Sequence, residues 1–277
     1  TLNGSNPTVI QVLSGPYVDS SGATVTDNYY TGLTVNTTGS VDTNTVGNYN
    51  VSYNVTDGSG NIADPVVRVV QVVDQAAPST TDNVPAAWQT ANTTVTLTCT
   101  DNVGCDKAYY TTDGNDPTVS SSFVDALSSW QFSVISEGQF VIKYFGIDAI
   151  PNAEPIKTAT NALKIDKTLP TANPVSIASN NPNTTLAKEG DVITVSFTTS
   201  EAVNLPTATI AGKTATVNNT GGNNYTATYT LTAAETQGVA TITINFSDIA
   251  GNNATQVVAV TDSSSVTIDT IAPTPFN

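Results

Sequence analysis

Apolar and polar residues alternate with a period of two through most of the chain, the pattern of strands that bury one face. In the first third the runs are 8–13 (TVIQVL), 49–55 (YNVSYNV) and 66–73 (VVRVVQVV). The middle third has 94–98 (TVTLT), 108–112 (AYYTT), 139–145 (QFVIKYF) and 162–165, and the last has 191–198 (DVITVSFT), 208–210, 214–217, 224–231 (NYTATYTL), 239–246 (VATITINF) and 257–260. Gly, Asn and Asp fill the gaps, which is turn chemistry. Only 231–237 (LTAAETQ) reads as a single helical turn.

The punctuation between runs repeats. Asp-x-x-x-Pro stands at 74–78, 166–170 and 269–273, directly after strand-like runs. A second mark, DGSGN at 57–61, DAIPN at 148–152 and DIAGN at 248–252, precedes each of these by about twenty residues. A fixed order with a period of about 90 to 100 residues identifies a tandem array. The expected modules are 1–77, 78–169 and 170–277, each with about seven short strands, the number in an immunoglobulin-like sandwich. The expected fold is therefore all-β, three tandem immunoglobulin-like β-sandwiches in an elongated arrangement.

Composition agrees with strands: Thr, Ser, Asn and Val dominate, and only 11% of residues are charged. No apolar stretch approaches the roughly 20 residues of a membrane span, and no basic-then-apolar leader is present. A net charge of −15 with 8 basic residues argues against nucleic acid or an anionic membrane as partner, because both bind through clustered Lys and Arg. Cations are the natural counter-partners. A halophile-type solvation shell is the competing account, but it needs a densely charged surface. The absence of histidine excludes Ser-His-Asp triads and imidazole metal ligands. Cys99 and Cys105 flank TDNVG, a spacing suited to a disulfide worth roughly 2 kcal/mol through loop closure. Two unpaired thiols are the other reading; a bridge would imply an extracytoplasmic chain.

The stretches YVDSSGATVTDN (17–28) and VDTNTVGNYNVSYNVTDGSGN (41–61) resemble bacterial immunoglobulin-like domains repeated in large surface proteins and adhesins. YYTTDGNDPT (109–118) resembles the small sandwich at the C-terminus of chitobiase-type glycosidases. VSFTTSEAV (195–203) and FSDIAGNNA (246–254) are similar to another bacterial immunoglobulin-like repeat. These resemblances imply a non-catalytic structural protein of the cell surface: a stalk, surface-layer or filament subunit, or an adhesin part.

In such a sandwich an early and a late loop lie beside the linker arriving from the preceding module. That topology is expected to gather Asp74, Asp101 and Asp148 at the first joint and Asp166, Glu201 and Asp248 at the second. Asp27 and Asp57 take the equivalent loop positions in the first module, and Asp269 the linker position of a further one, with Asn28, Asn102, Asn152 and Asn252 adding neutral oxygens. Oxygen ligands without sulfur or imidazole select Ca²⁺, so one Ca²⁺ per joint is expected, stiffening the array. The alternative is that these residues only form Asx-turns. Asp113 and Asp116 read as a tight hairpin.

Trp88 and Trp130 are candidates for stacking on a sugar, against edge packing as the plainer role. A carbohydrate-binding or accessory region of a secreted polysaccharide-active enzyme is accordingly the rival reading, with surface glycans as partners. Catalysis by paired carboxylates is disfavoured, because the acidic groups belong to module ends instead of a cleft. The unfilled half-sites at Asp27, Asp57 and Asp269 suggest copies joining head to tail. The run 66–73, with Arg68 its only charge, is read as an edge strand, protected or open to a partner strand.

Overall fold

A computed structural model describes residues 1–274. The chain is all-β: the described residues form strands and turns without a helix. The stretch read as a helical turn is a simple turn at 233–234. No helix among the described residues is long and apolar enough to cross a membrane. The chain divides into two compact units, one of Thr1–Asn83, Thr96–Phe132 and Ile142–Ala159, the other of Val84–Val95, Ser133–Val141 and Thr160–Asn277.

In the first unit a four-stranded sheet has the order Thr8–Gln11, Val66–Val73, Gly47–Asn54, Asn36–Thr38. Thr8–Gln11 runs parallel to Val66–Val73, and the other neighbours are antiparallel. Val66–Val73 is thus a central strand and not an edge. Arg68, the one charge of that run, is 1% exposed and bound inward. Its guanidinium meets Asp19 at 2.7 Å, the carbonyls of Asn3, Ser5 and Gly22, and the Thr8 hydroxyl. These contacts tie irregular segments onto the sheet, where Val51, Tyr53 and Val70 form a small buried cluster. A buried cation persists because every donor finds an oxygen.

A second sheet in this unit has the order Lys157–Thr158, Lys143–Asp148, Cys105–Thr111, Ser122–Val124, all antiparallel. Ser79–Asp82 pairs antiparallel with residues 97–100. The aromatic stacks Tyr109 on Phe145 and Tyr110 on Phe132 supply apolar mass. Gly146 leaves room for the Thr80 hydroxyl and the buried Glu154 carboxylate, which any side chain there would displace. Glu154 accepts the amides of Thr80 and Gly146 and pairs with Lys157 at 2.7 Å.

The second unit contains a fuller sandwich. Its six-stranded sheet runs Ala172–Ser179, Val192–Thr199, Asn224–Thr230, Lys213–Gly221, Thr207–Ile210, Ile242–Asn245. Leu186–Ala187, Thr267–Ile268 and Gly238–Val239 form a three-stranded sheet. Both contribute to one core, in which Val195, Phe197, Ile210, Ala227 and Ile244 join Ala187 and Ile268. Lys213–Gly221 pairs first with Thr207–Ile210 and then with Asn224–Thr230, as strands that turn a sandwich corner do.

Two expected strands are broken. The run 139–145 is split between Gly138–Phe140, paired with Leu163–Ile165, and Lys143–Asp148, paired with Cys105–Thr111. Likewise 239–246 is split between Gly238–Val239, paired with Thr267–Ile268, and Ile242–Asn245, paired with Thr207–Ile210. Expected strand 257–260 is reduced to one bridge, Val257 with Ile244.

Candidate functional site

Among the described residues, each unit holds one cluster of three carboxylates. In the first, one oxygen from each of Asp74, Asp101 and Asp148 lies within 4.8 Å of the other two; in the second the same holds for Asp166, Glu201 and Asp248. Every cluster draws on a segment leaving one sheet and on two loops that follow it in sequence.

The supports are nearly the same twice over. Asp148 follows a β-bulge at the end of Lys143–Asp148. Its Oδ1 accepts the amides of Ile150 and Asn152 and its Oδ2 the Asn152 side-chain amide. Asp248 repeats this with Gly251 and Asn252. The second hydrogen of the Asn152 amide goes to the Asp74 carbonyl at 3.2 Å, and that of Asn252 to the Asp166 carbonyl at 2.9 Å. These asparagines were expected to offer oxygens; the structure shows their nitrogens fastening the incoming segment. Asn102 likewise donates, to Asp74 Oδ1. The incoming aspartates are folded alike, Asp74 Oδ1 accepting the Ala76 amide and Asp166 Oδ1 the Thr168 amide. Both late-loop carboxylates are 1% exposed.

The early loops differ. Asp101 Oδ2 accepts the amides of Val103 and Gly104, and the loop is closed by the Cys99–Cys105 disulfide. Ala149 donates to the Gly104 carbonyl, joining early and late loops. In the second cluster the Glu201 loop has no covalent closure. It is held by the Thr199 hydroxyl on the Glu201 carbonyl and by Asn204 on the Asp248 carbonyl.

Electrostatics separates the clusters further. Burial pushes the Asp74 carboxyl up, but donors from Ala76, Asn102, Gln11 and Gln75 outweigh it and hold the group below the usual carboxylate range. Two oxygens, Asp74 Oδ2 and Asp101 Oδ1, are nevertheless buried with no hydrogen-bond partner. Glu201 moves the other way: burial raises its carboxyl, and the charges of Asp166, Asp248 and Glu137 raise it further. Carboxylates this close repel one another, most strongly where burial keeps water from screening them. A hard cation relieves such repulsion and satisfies orphaned oxygens at once.

Not every expected residue joins a cluster. Asp27 Oδ1 accepts the amides of Tyr29 and Tyr30, and Asp57 accepts those of Ser59 and Asn61, so each forms its own turn. The Tyr30 and Ser59 hydroxyls, 2.7 Å apart, bring these loops together, yet they stand outside both clusters. Asp269 accepts the Ile271 amide and is likewise outside them. Asp113 accepts from Asn115 as a hairpin residue, and Asp116 pairs with Lys143. Trp88 and Trp130 are half-buried, and Trp130, with Ser129 before it, takes a positive φ. The sequence reading missed Gln11, which reaches Asp74 Oδ1 at 2.8 Å.

Known proteins resemble parts of this chain. Residues 1–72 match the family model of the bacterial surface protein Ig-like domain. Residues 85–158 match the chitobiase/beta-hexosaminidase C-terminal domain. No curated protein matches the chain. Among solved structures, a 1.5-MDa bacterial ice-binding adhesin is 17% identical with a TM-score of 0.40, covering 81% of this chain and 75% of that one. A Ca²⁺-stabilized adhesin of an Antarctic bacterium is 18% identical at 0.37, covering 82% and 58%. The CbhA fibronectin(III)-like modules of Clostridium thermocellum are 11% identical at 0.32, covering 69% and 94%. At these scores none of the three likenesses bears on what this chain binds.

Proposed function

We propose that the chain is a non-catalytic extracellular structural segment, a stalk, surface-layer or filament subunit, built of immunoglobulin-like modules at 1–77, 78–169 and 170–277. In this reading each acidic cluster binds one Ca²⁺ that fastens the linker at Asp74 or Asp166 to the loops of the following module. The supporting observation is the twice-built cluster: a linker aspartate, an early-loop acid and a late-loop aspartate within 4.8 Å. The orphaned oxygens of Asp74 and Asp101 add to it. The match of residues 1–72 to a bacterial surface domain supports the location.

Extracellular modules hold calcium with dissociation constants around 0.1 to 1 mM, so millimolar calcium adds roughly 1 to 1.5 kcal/mol per site at the tight end. That increment suppresses opening of a linker without being needed for folding. The test is limited proteolysis across 74–78 and 166–170, with thermal melts, in millimolar calcium and in excess chelator. Calcium should slow cleavage and raise the melting temperature; equal behaviour in both buffers would leave the acidic residues as turn formers.

The match of residues 85–158 to a glycosidase-associated domain favours a second reading, a carbohydrate-contacting accessory region. Saturable quenching of tryptophan fluorescence by glycans, lost on Trp130→Ala or Trp88→Ala, would support it.

A further inference from the structure

The Cys99–Cys105 disulfide stands at the Asp74 cluster and has no equivalent at the Asp166 cluster. It closes the loop that carries Asp101 and Asn102, and both reach into the site. Cys105 is also the cross-strand partner of Asp148 at the bulge. One covalent link therefore fixes the supports of two of the three acids. In the second cluster Val203 takes the place opposite Asp248, and hydrogen bonds alone hold the Glu201 loop. The Asp101 loop thus carries a covalent closure in addition to its hydrogen bonds, and it holds a buried, unpartnered oxygen of Asp101.

We propose that the Cys99–Cys105 disulfide is a positioning element of a cation site at Asp74, Asp101 and Asp148, so that divalent-cation binding there, and not at Asp166, Glu201 and Asp248, depends on the oxidised state. This rests on the calcium reading given above. The physical argument is pre-organisation. With the bridge intact, Asp101 and the strand bearing Cys105 are held together before the cation arrives. Once it is cut, the same loop samples wider conformations, and the cation must order it on binding. Reduction by a dithiol breaks the S–S bond and forms two S–H bonds, while the dithiol closes into its own disulfide. Supports of this kind change metal affinity by about 10- to 100-fold.

The effect is reciprocal. If the bridge strengthens calcium binding by some factor, calcium must protect the bridge against reduction by that factor. Such protection distinguishes positioning from a role in general stability, because it should vanish when the site is disabled and the fold retained.

The experiment isolates each site and reads both directions of the linkage. Glu201→Gln leaves the Asp74 cluster as the site under observation, and Asp101→Asn leaves the Asp166 cluster. Calcium is titrated calorimetrically into each variant, oxidised and after dithiothreitol, with circular dichroism following the fold. The expected result is an affinity about tenfold weaker on reduction in Glu201→Gln and unchanged in Asp101→Asn. A dithiothreitol equilibrium with and without calcium supplies the reverse reading, independent of whether the reduced loop stays ordered. Calcium should shift Glu201→Gln toward the oxidised form by the same factor, and leave Asp101→Asn unshifted. Equal affinity in both redox states of Glu201→Gln, with no protection of the bridge, would overturn the proposal and leave the calcium reading standing. If oxidised Glu201→Gln and Asp101→Asn both bind no calcium, the calcium reading falls and takes the proposal with it.

Discussion

The Asp74 and Asp166 clusters are two solutions to one problem, and their differences separate what the fold requires from what a cation would exploit. Common to both is the asparagine that clamps a buried aspartate with one hydrogen and the incoming backbone with the other. Both also use an aspartate folded back on the amide two residues on. Such features are architecture, useful with or without a metal. The early loop is what varies. At Asp74 it is covalently closed and donors outweigh burial, so the linker acid stays ionised. At Asp166 it is open and Glu201 is crowded by charges that favour its protonated form. The first cluster is pre-organised for charge; the second carries charge under repulsion.

The largest expected effect tests what the clusters share. Asn152→Ala and Asn252→Ala each strand a buried carboxylate oxygen, at a cost of about 1 to 3 kcal/mol, with or without calcium. Urea unfolding should show comparable losses in both; a loss confined to one would mean that the clamp is architectural in that cluster alone.

Next comes the calcium increment. Asp101→Ala and Glu201→Ala should each abolish one increment of roughly 1 to 1.5 kcal/mol, seen as a smaller calcium-induced rise in melting temperature. If both variants keep the full rise, the clusters are not where calcium acts.

A smaller effect separates the clusters by sign. Glu201→Gln in chelator should stabilise the chain at neutral pH by a fraction of a kcal/mol, because partly solvated charges repel weakly. The Glu201 carboxyl is raised above its ordinary 4.5 in the folded chain. Its contribution is therefore greatest below the unfolded value and is lost as pH rises through the folded one. Asp74 is opposite: its lowered carboxyl contributes above the ordinary 3.8 and loses that contribution as pH falls through the folded value. Melts in chelator carried from neutral pH to below 3.8 should show Glu201→Gln flattening the mildly acidic part of the curve and Asp74→Asn removing part of the loss at its acid end. The same slope in both variants would contradict the contrast.

The acidic clusters were legible in the sequence because a repeat exposes them. Asp74, Asp101 and Asp148 match Asp166, Glu201 and Asp248 in order, and their second and third members also in spacing, so a shared loop placement can be inferred without coordinates. Donor direction was not legible, since an asparagine offers both an oxygen and a nitrogen and only the neighbouring carbonyl decides which is used. Nor was Gln11, whose partner Asp74 lies 63 residues away. The broken strands at 139–145 and 239–246 failed for another reason. Alternation reports which face is buried, but it continues unchanged when a strand exchanges one partner for another. The place of Arg68 was not legible either, since a lone charge in an apolar run fits a protected or an open edge, whereas here irregular segments supply it with oxygens.

The central claim is that both clusters are cation sites. A calorimetric titration of the oxidised wild-type chain with calcium, beside Asp101→Asn and Glu201→Gln, tests it most directly. The account predicts two sites in the wild type and one in each variant, the tighter being the one that survives in Glu201→Gln. Absence of binding in the wild type, or a stoichiometry that neither substitution changes, would contradict it.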